Sequence, residues 1–165
     1  MNNNDLLKKA AAGDKKAFME IYRQYRDMVY RHCYSITLDK ENAHELFQEV
    51  WIKIYLALRR NYKIENFTGY LKTTIKNTVV DYFRKNPTYH NEEIEEEISA
   101  TFKDPNTTLE IQELLKNISP EERYLIFLRF YEGYTIKEIS DFLNISESAV
   151  KMRIHRLLKN LREEI

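Results

Sequence analysis

Residues 135–165 read TIKEISDFLNISESAVKMRIHRLLKNLREEI, two apolar-periodic runs parted by the short turn Asn144-Ile145-Ser146. The first run places Ile136, Ile139 and Leu143 on one face of a helix, and the second does the same with Val150, Ile154, Leu157 and Leu161. Thr135 with Glu138 has capping-box spacing, and Ser146 followed by Glu147 suits a second N-cap, so both helix starts are marked. Two helices joined by so tight a turn predict a helix-turn-helix. The second helix carries Lys151, Arg153, Arg156, Lys159 and Arg162, with no acid between Ser148 and Leu161. Such a face suits the DNA major groove, which admits a helix and offers guanine edges and phosphates to Arg and Lys.

Upstream, Ser119 with Glu122 and Thr107 with Glu110 repeat the capping-box spacing, Pro120 takes the favoured first helical position, and Gly133 can end the helix before Thr135. Residues 86–106 have few apolar residues at any regular spacing and contain two of the three prolines and the run Glu92, Glu93, Glu95, Glu96 and Glu97; they read as a flexible acidic linker. Asn86-Pro87 is where the preceding helix should stop. Towards the start, four more helices are expected. Leu6, Leu7 and Ala10 precede a stop and new cap at Gly13-Asp14. Phe18, Ile21, Tyr22, Tyr25, Val29, Cys33 and Ile36 mark the second. Ala43, Leu46, Phe47, Val50, Ile54 and Leu58 mark the third, after a cap at Asp39. Phe67, Tyr70, Leu71, Ile75, Val79, Tyr82 and Phe83 mark the fourth. The pattern predicts an all-α chain of two small helical domains.

The formal net charge of zero hides an asymmetry. Residues 1–85 hold 16 Lys or Arg against 10 Asp or Glu, residues 86–117 hold 2 against 8, and residues 118–165 hold 8 against 8. Local fields, not the total, govern encounters with a polyanion. The balanced last segment offers few phosphate contacts outside one helix, so it should bind DNA weakly alone and need a partner that adds affinity. The acids of the linker keep it solvated or, alternatively, mimic nucleic acid and shield the basic faces. One cysteine, Cys33, no signal-peptide core and no apolar stretch near the roughly 20 residues of a membrane span point to the cytoplasm. There is no Walker loop, Gly-rich nucleotide fingerprint or Cys/His metal cluster, and the histidines are scattered; the chain reads as a non-enzyme without metal, cofactor or small-molecule substrate. His32 and Cys33, being adjacent, should face different sides of their helix.

Residues 59–85, RRNYKIENFTGYLKTTIKNTVVDYFRK, interleave Lys and Arg with Tyr62, Phe67, Tyr70, Tyr82 and Phe83. Single strands need this mixture, charge along the backbone and ring faces for the bases. Phe67, Tyr82 and Phe83 are equally readable as core, which leaves Tyr62, Tyr70 and Asn77 as the better contacts.

With these segments in hand, the chain resembles a sigma factor of the sigma-70 family, of the small extracytoplasmic-function (ECF) type. AAAGDKKAFMEIYRQYRDMVYR (10–31) resembles the first part of region two, and DKENAHELFQEVWIKIYLAL (39–58) the helix that binds core RNA polymerase. NFTGYLKTTIKNTVVDYFRK (66–85) is similar to the part that recognises and melts the minus-ten promoter element, and residues 118–163 resemble region four, which reads the minus-thirty-five element. The resemblance implies a region-two bundle over 1–86, a linker over 87–106 and region four over 107–165. It implies polymerase contacts, on the largest-subunit clamp, at Glu45, Leu46, Gln48 and Glu49, with the flap as a further polymerase contact. Minus-ten contacts are implied at Tyr62, Asn66, Phe67, Tyr70, Lys72, Lys76, Asn77, Arg84 and Lys85, with Asn77 suited to a base edge and the cations to phosphates. Minus-thirty-five contacts are implied at Ser146, Lys151, Met152, Arg153, His155, Arg156 and Lys159. The implied partners are core polymerase, promoter DNA and an anti-sigma factor, a class often membrane-anchored. His44, Tyr70, Lys72 and Lys76-Asn77 depart from the commonest family residues, which bears on promoter preference. A helix-turn-helix regulator that binds duplex DNA without polymerase is the alternative.

Overall fold

The computed structural model describes residues 2–60, 63–85, 115 and 117–164. Seven α-helices make up these residues, and no strand occurs among them: α1 (Asn3–Ala11), α2 (Lys15–Thr37), α3 (Lys40–Arg59), α4 (Phe67–Lys85), α5 (Pro120–Ile126), α6 (Ile136–Leu143) and α7 (Glu147–Glu164). Tyr62, the acidic run, the Asn86-Pro87 stop and the cap expected at Thr107 fall outside the described residues.

The helix starts follow from side-chain caps that occupy otherwise orphaned amides. Asp14 accepts from the amides of Lys16 and Ala17, and Asp39 from those of Glu41 and Asn42. Full capping boxes open α5 at Ser119/Glu122 and α6 at Thr135/Glu138. Gly13, with φ +101°, turns the chain between α1 and α2, a conformation closed to most side chains.

Helix α2 is the axis of the fold, with α1, α3, α4 and α5 packed around it. Its contact with α3 is largely aromatic: Tyr22 meets Trp51 edge-on at 5.0 Å between ring centres, and Phe47 takes the edges of Tyr22 and Tyr30. Val29, Cys33 and Ile36 of α2 join Val50, Ile54, Leu71 and Ile75 in full burial. Thr74 and Thr78 sit in this core without penalty because each hydroxyl donates to the carbonyl four residues back, at 2.9 and 2.8 Å.

The helices after residue 119 are not detached from this bundle. Tyr124, Leu125, Phe127 and Leu128 are buried and continuous with the core of α1–α4, and α5 lies directly on α2. His32 and Cys33, adjacent in sequence, are both buried because the last turns of α2 are covered by neighbours on several sides.

Helix α5 runs on into a π-helical turn, Phe127–Tyr131, where the amide of Glu132 bonds the carbonyl five residues back, Phe127, at 2.9 Å. The wider turn shifts the register, so Phe127 and Leu128 stay buried while Phe130 and Tyr131 emerge at 58% and 57% exposure. Gly133, φ +73°, then frees the chain for α6, as the sequence implied. Ile139, Val150 and Leu157 close the core of the helix-turn-helix, whereas Ile136, Leu143 and Leu161 are only half-buried.

Candidate nucleic-acid interface

Helix α7 is the most exposed of the candidate surfaces. Its turn is set by Asn144 in the left-handed region, φ 55°, and by Ser146, whose Oγ accepts from the Ala149 amide at 3.1 Å. Val150, Ile154 and Leu157 face α6 and α5, which turns Lys151, Met152, Arg153, His155, Arg156 and Lys159 to solvent. At about 3.6 residues per turn, Met152, His155, Arg156 and Lys159 share the outermost strip, with Lys151 and Arg153 on its two flanks. Met152 is 71% exposed, an apolar group held in water at the centre of a cationic face. Lys151, Met152 and His155 also border a shallow groove floored by Ile136, Ile154 and Leu158.

Helix α4 divides its candidates between two sides. Tyr70, Thr73, Asn77 and Arg84 recur at helical spacing along one side, where Asn77 and Arg84 are exposed and Tyr70 half-buried. Lys72 and Lys76 lie on the flank nearer α6, where Lys72 Nζ sits 5.3 Å from the centre of the Tyr134 ring, a cation–π contact. Lys85 is exposed at the end of the helix, beside Arg84, whose guanidinium lies 3.8 Å from Asp81.

Two of the minus-ten candidates have structural places. Phe67 is buried, its ring edge-on to Tyr25 at 5.0 Å, and a ring so enclosed offers no face to a base in this arrangement. Asn66 is exposed but caps α4: its Oδ1 accepts from the Gly69 amide at 3.1 Å and its carbonyl from the Tyr70 amide. An asparagine three residues before a glycine was the available signal for that cap.

On α3, Leu46 is buried, so its side chain is core packing and not surface. Glu45, Gln48 and Glu49 stand on the outer side. Gln48 Nε2 lies 3.0 Å from His44 Nε2, and Glu49 accepts from Lys53 Nζ at 3.0 Å. The strip they occupy continues through Ile52 and Leu56, exposed by 58% and 42%, which the sequence reading passed over. Their signal was present: both are apolar and both fall off the buried 3.6-residue stripe of α3.

The end of α2 and the start of α5 hold a group of buried polar side chains. His32 and Tyr124 share a hydrogen bond between Nδ1 and the hydroxyl at 2.8 Å. Burial, with the cations Arg31 and Lys72 as lesser causes, pushes His32 from 6.5 down to about 3, so it is neutral at physiological pH. Arg123 donates to Ile36 O at 2.7 Å and to Ile118 O at 3.2 Å; burial lowers it only to about 10, so it stays charged against the C-terminal carbonyls of α2. Nothing in the local sequence distinguishes these residues from surface polar ones.

Residues 21–87 match the family model for sigma-70 region 2, and residues 108–161 match that for sigma-70 region 4. The chain belongs to the sigma-70 family, in its ECF class. Among relatives of this ECF sigma factor family member, the ECF RNA polymerase sigma factor SigE of Mycolicibacterium smegmatis is 29% identical over 166 residues, an alignment covering 93% of the chain and 64% of SigE. The ECF RNA polymerase sigma factor SigW of Bacillus subtilis is 26% identical over 179 residues, covering 96% of the chain and 94% of SigW. The chain thus spans less than two thirds of SigE and nearly all of SigW. In fold it is similar to the sigma factor RpoE from Bartonella quintana, solved in complex with the anti-sigma factor NepR, with a TM-score of 0.64 at 17% identity over 90% of this chain and 96% of that one. The region-2 match takes in α3, α4 and most of α2, and the region-4 match takes in α5, α6 and most of α7.

Proposed function

We propose that this chain is a sigma factor that binds core RNA polymerase and directs promoter-specific initiation, in an envelope or stress response. The observation that carries it is the order of parts on one chain: a region-two segment with a solvent-facing α3 strip, then a region-four segment ending in a cationic α7. In this reading residues 1–86 and 107–165 are the two functional units, and the chain works in the cytoplasm as a non-catalytic subunit.

Glu45, Gln48, Glu49, Ile52 and Leu56 meet the clamp of the polymerase largest subunit. An apolar pair flanked by Gln and Glu suits a partner helix that carries Arg and polar groups. The exposed Phe130 and Tyr131 are offered to the flap. Tyr70 and Asn77 bind bases drawn out of the minus-ten stack, where unstacking costs on the order of a few kcal/mol and a pocket offsets it. Lys76, Arg84 and Lys85 hold the adjoining phosphates, and α7 enters the minus-thirty-five major groove. An anti-sigma factor, such as the partner of the Bartonella protein, would cover these faces.

Run-off transcription with purified bacterial core polymerase lacking its own sigma subunit tests the proposal. Specific initiation on addition of this chain is expected; duplex binding without initiation would identify a helix-turn-helix regulator instead and refute it.

A further inference from the structure

The strip of α7 that points directly away from the core holds Ser148, Met152, His155, Arg156 and Lys159, and one of these is unlike the rest. Every neighbour of Met152 on the strip is polar or charged. Met152 itself, at 71%, is the most exposed large apolar side chain among the described residues. It borders the groove floored by Ile136, Ile154 and Leu158 but does not lie down in it, although doing so would take apolar surface out of water. The buried stripe of Val150, Ile154 and Leu157 faces the opposite way. The apolar end of Met152 is thus left for a group outside the chain.

In a major groove the choice of that group is narrow. A thioether donates no hydrogen bond and accepts only weakly, so it does not read the donor and acceptor edges that Arg and Lys read. Phosphates offer it nothing, because contacts to them are made by hydrogen-bond donors. Its strength is apolar contact through an unbranched, adaptable chain. Among the groups that base pairs present in the major groove, the apolar one is the C5 methyl of thymine. Helix geometry adds a spacing. Met152 and Arg156 are four residues apart on one face, about 6 Å along the axis. With the helix along the groove and base pairs about 3.4 Å apart, the two side chains address positions about two base pairs apart.

We propose that Met152 is a specificity-determining residue of the minus-thirty-five contact: it reads the C5 methyl of a thymine about two base pairs from the position addressed by Arg156. The inference rests on the sigma-factor reading above and adds to it the base that one side chain selects. Lys151 and Arg153, on the flanks of the strip, carry the charge that holds α7 in the groove, and Met152 supplies discrimination that charge does not.

The test removes the methyl and leaves the base pairing intact. Holoenzyme made from the full chain and purified core polymerase selects a promoter from a pool randomised over the minus-thirty-five element. Each thymine of the selected element is then replaced singly by deoxyuridine, and binding is measured by competition. With the parent chain one replacement, about two base pairs from the pair whose preference Arg156→Ala alters, should weaken binding about fourfold, the share of one buried methyl. Met152→Ala holoenzyme should bind the thymine and deoxyuridine duplexes equally, and about as well as the parent binds the deoxyuridine one. Arg156→Ala should keep the fourfold difference. The proposal is overturned if the selected element has no thymine whose replacement weakens binding by the parent, or if the difference survives Met152→Ala. Binding by Met152→Ala far below the parent's level on deoxyuridine also overturns it, since the side chain would then serve the fold or the backbone contact. Failure of the parent holoenzyme to select any sequence overturns the sigma-factor reading, and the proposal with it.

Discussion

Acid should destabilise this protein through His32 in a way that one substitution can isolate. The ring is fully buried and held near a pKa of about 3, against 6.5 when solvated. Between those values the unfolded chain takes up a proton that the folded chain refuses, so stability is complete above about pH 6.5 and falls as the pH drops towards 3. At pH 5 the solvated imidazole is about 1.5 log units into protonation and the buried one hardly at all, which amounts to about 2 kcal/mol. His32→Gln keeps a polar group for the Tyr124 hydroxyl and removes the titration, while every other ionisable group remains in both chains and cancels. Urea unfolding of the two chains at pH 7.5 and pH 5 should show the advantage of the parent chain shrinking by about 2 kcal/mol at the lower pH. Parallel stabilities at both pH values would refute the reasoning, since they would mean that His32 is solvated or already charged in the folded chain.

Leu71→Ala, at a site with no exposure, should cost about 3 kcal/mol in the same unfolding assay, from lost transfer energy and the cavity left between α3 and α4. Ile52→Asp, at an exposed position on α3, should leave the unfolding midpoint unchanged yet weaken co-purification with core polymerase by about tenfold, the share of an apolar side chain buried by a partner. Arg156→Ala should change preference at one minus-thirty-five base pair by about 1–3 kcal/mol in competition binding, whereas a uniform loss over all sequences would make it a phosphate contact.

The helices and their boundaries were legible because their signals are local. Asp14, Asp39, Ser119 and Thr135 each satisfy amides within three residues, so the cap is visible wherever the spacing is. The cationic face of α7 was legible for a related reason: a helix with one apolar stripe must turn its other residues outward. Burial of a given ring was not. Phe67 and Tyr70 stand three residues apart on α4 and both were read as contacts, but Phe67 points at Tyr25 of α2 and is enclosed. Leu46, an implied polymerase contact, is taken into the core, while Ile52 is left outside, because α2 and α4 cover one side of α3 only.

By itself the sequence determined an all-α chain, its caps, the helix-turn-helix and the cationic strip, all consequences of spacing within one or two helical turns. Only the tertiary structure decided that α5 lies on α2, that His32 is neutral and buried, that Arg123 closes the end of a helix 87 residues earlier in the chain, and that Lys72 rests on Tyr134. Those pairings join residues far apart in the chain. What brings them together is the free energy of packing whole helices, and no short pattern of residues encodes which faces will meet.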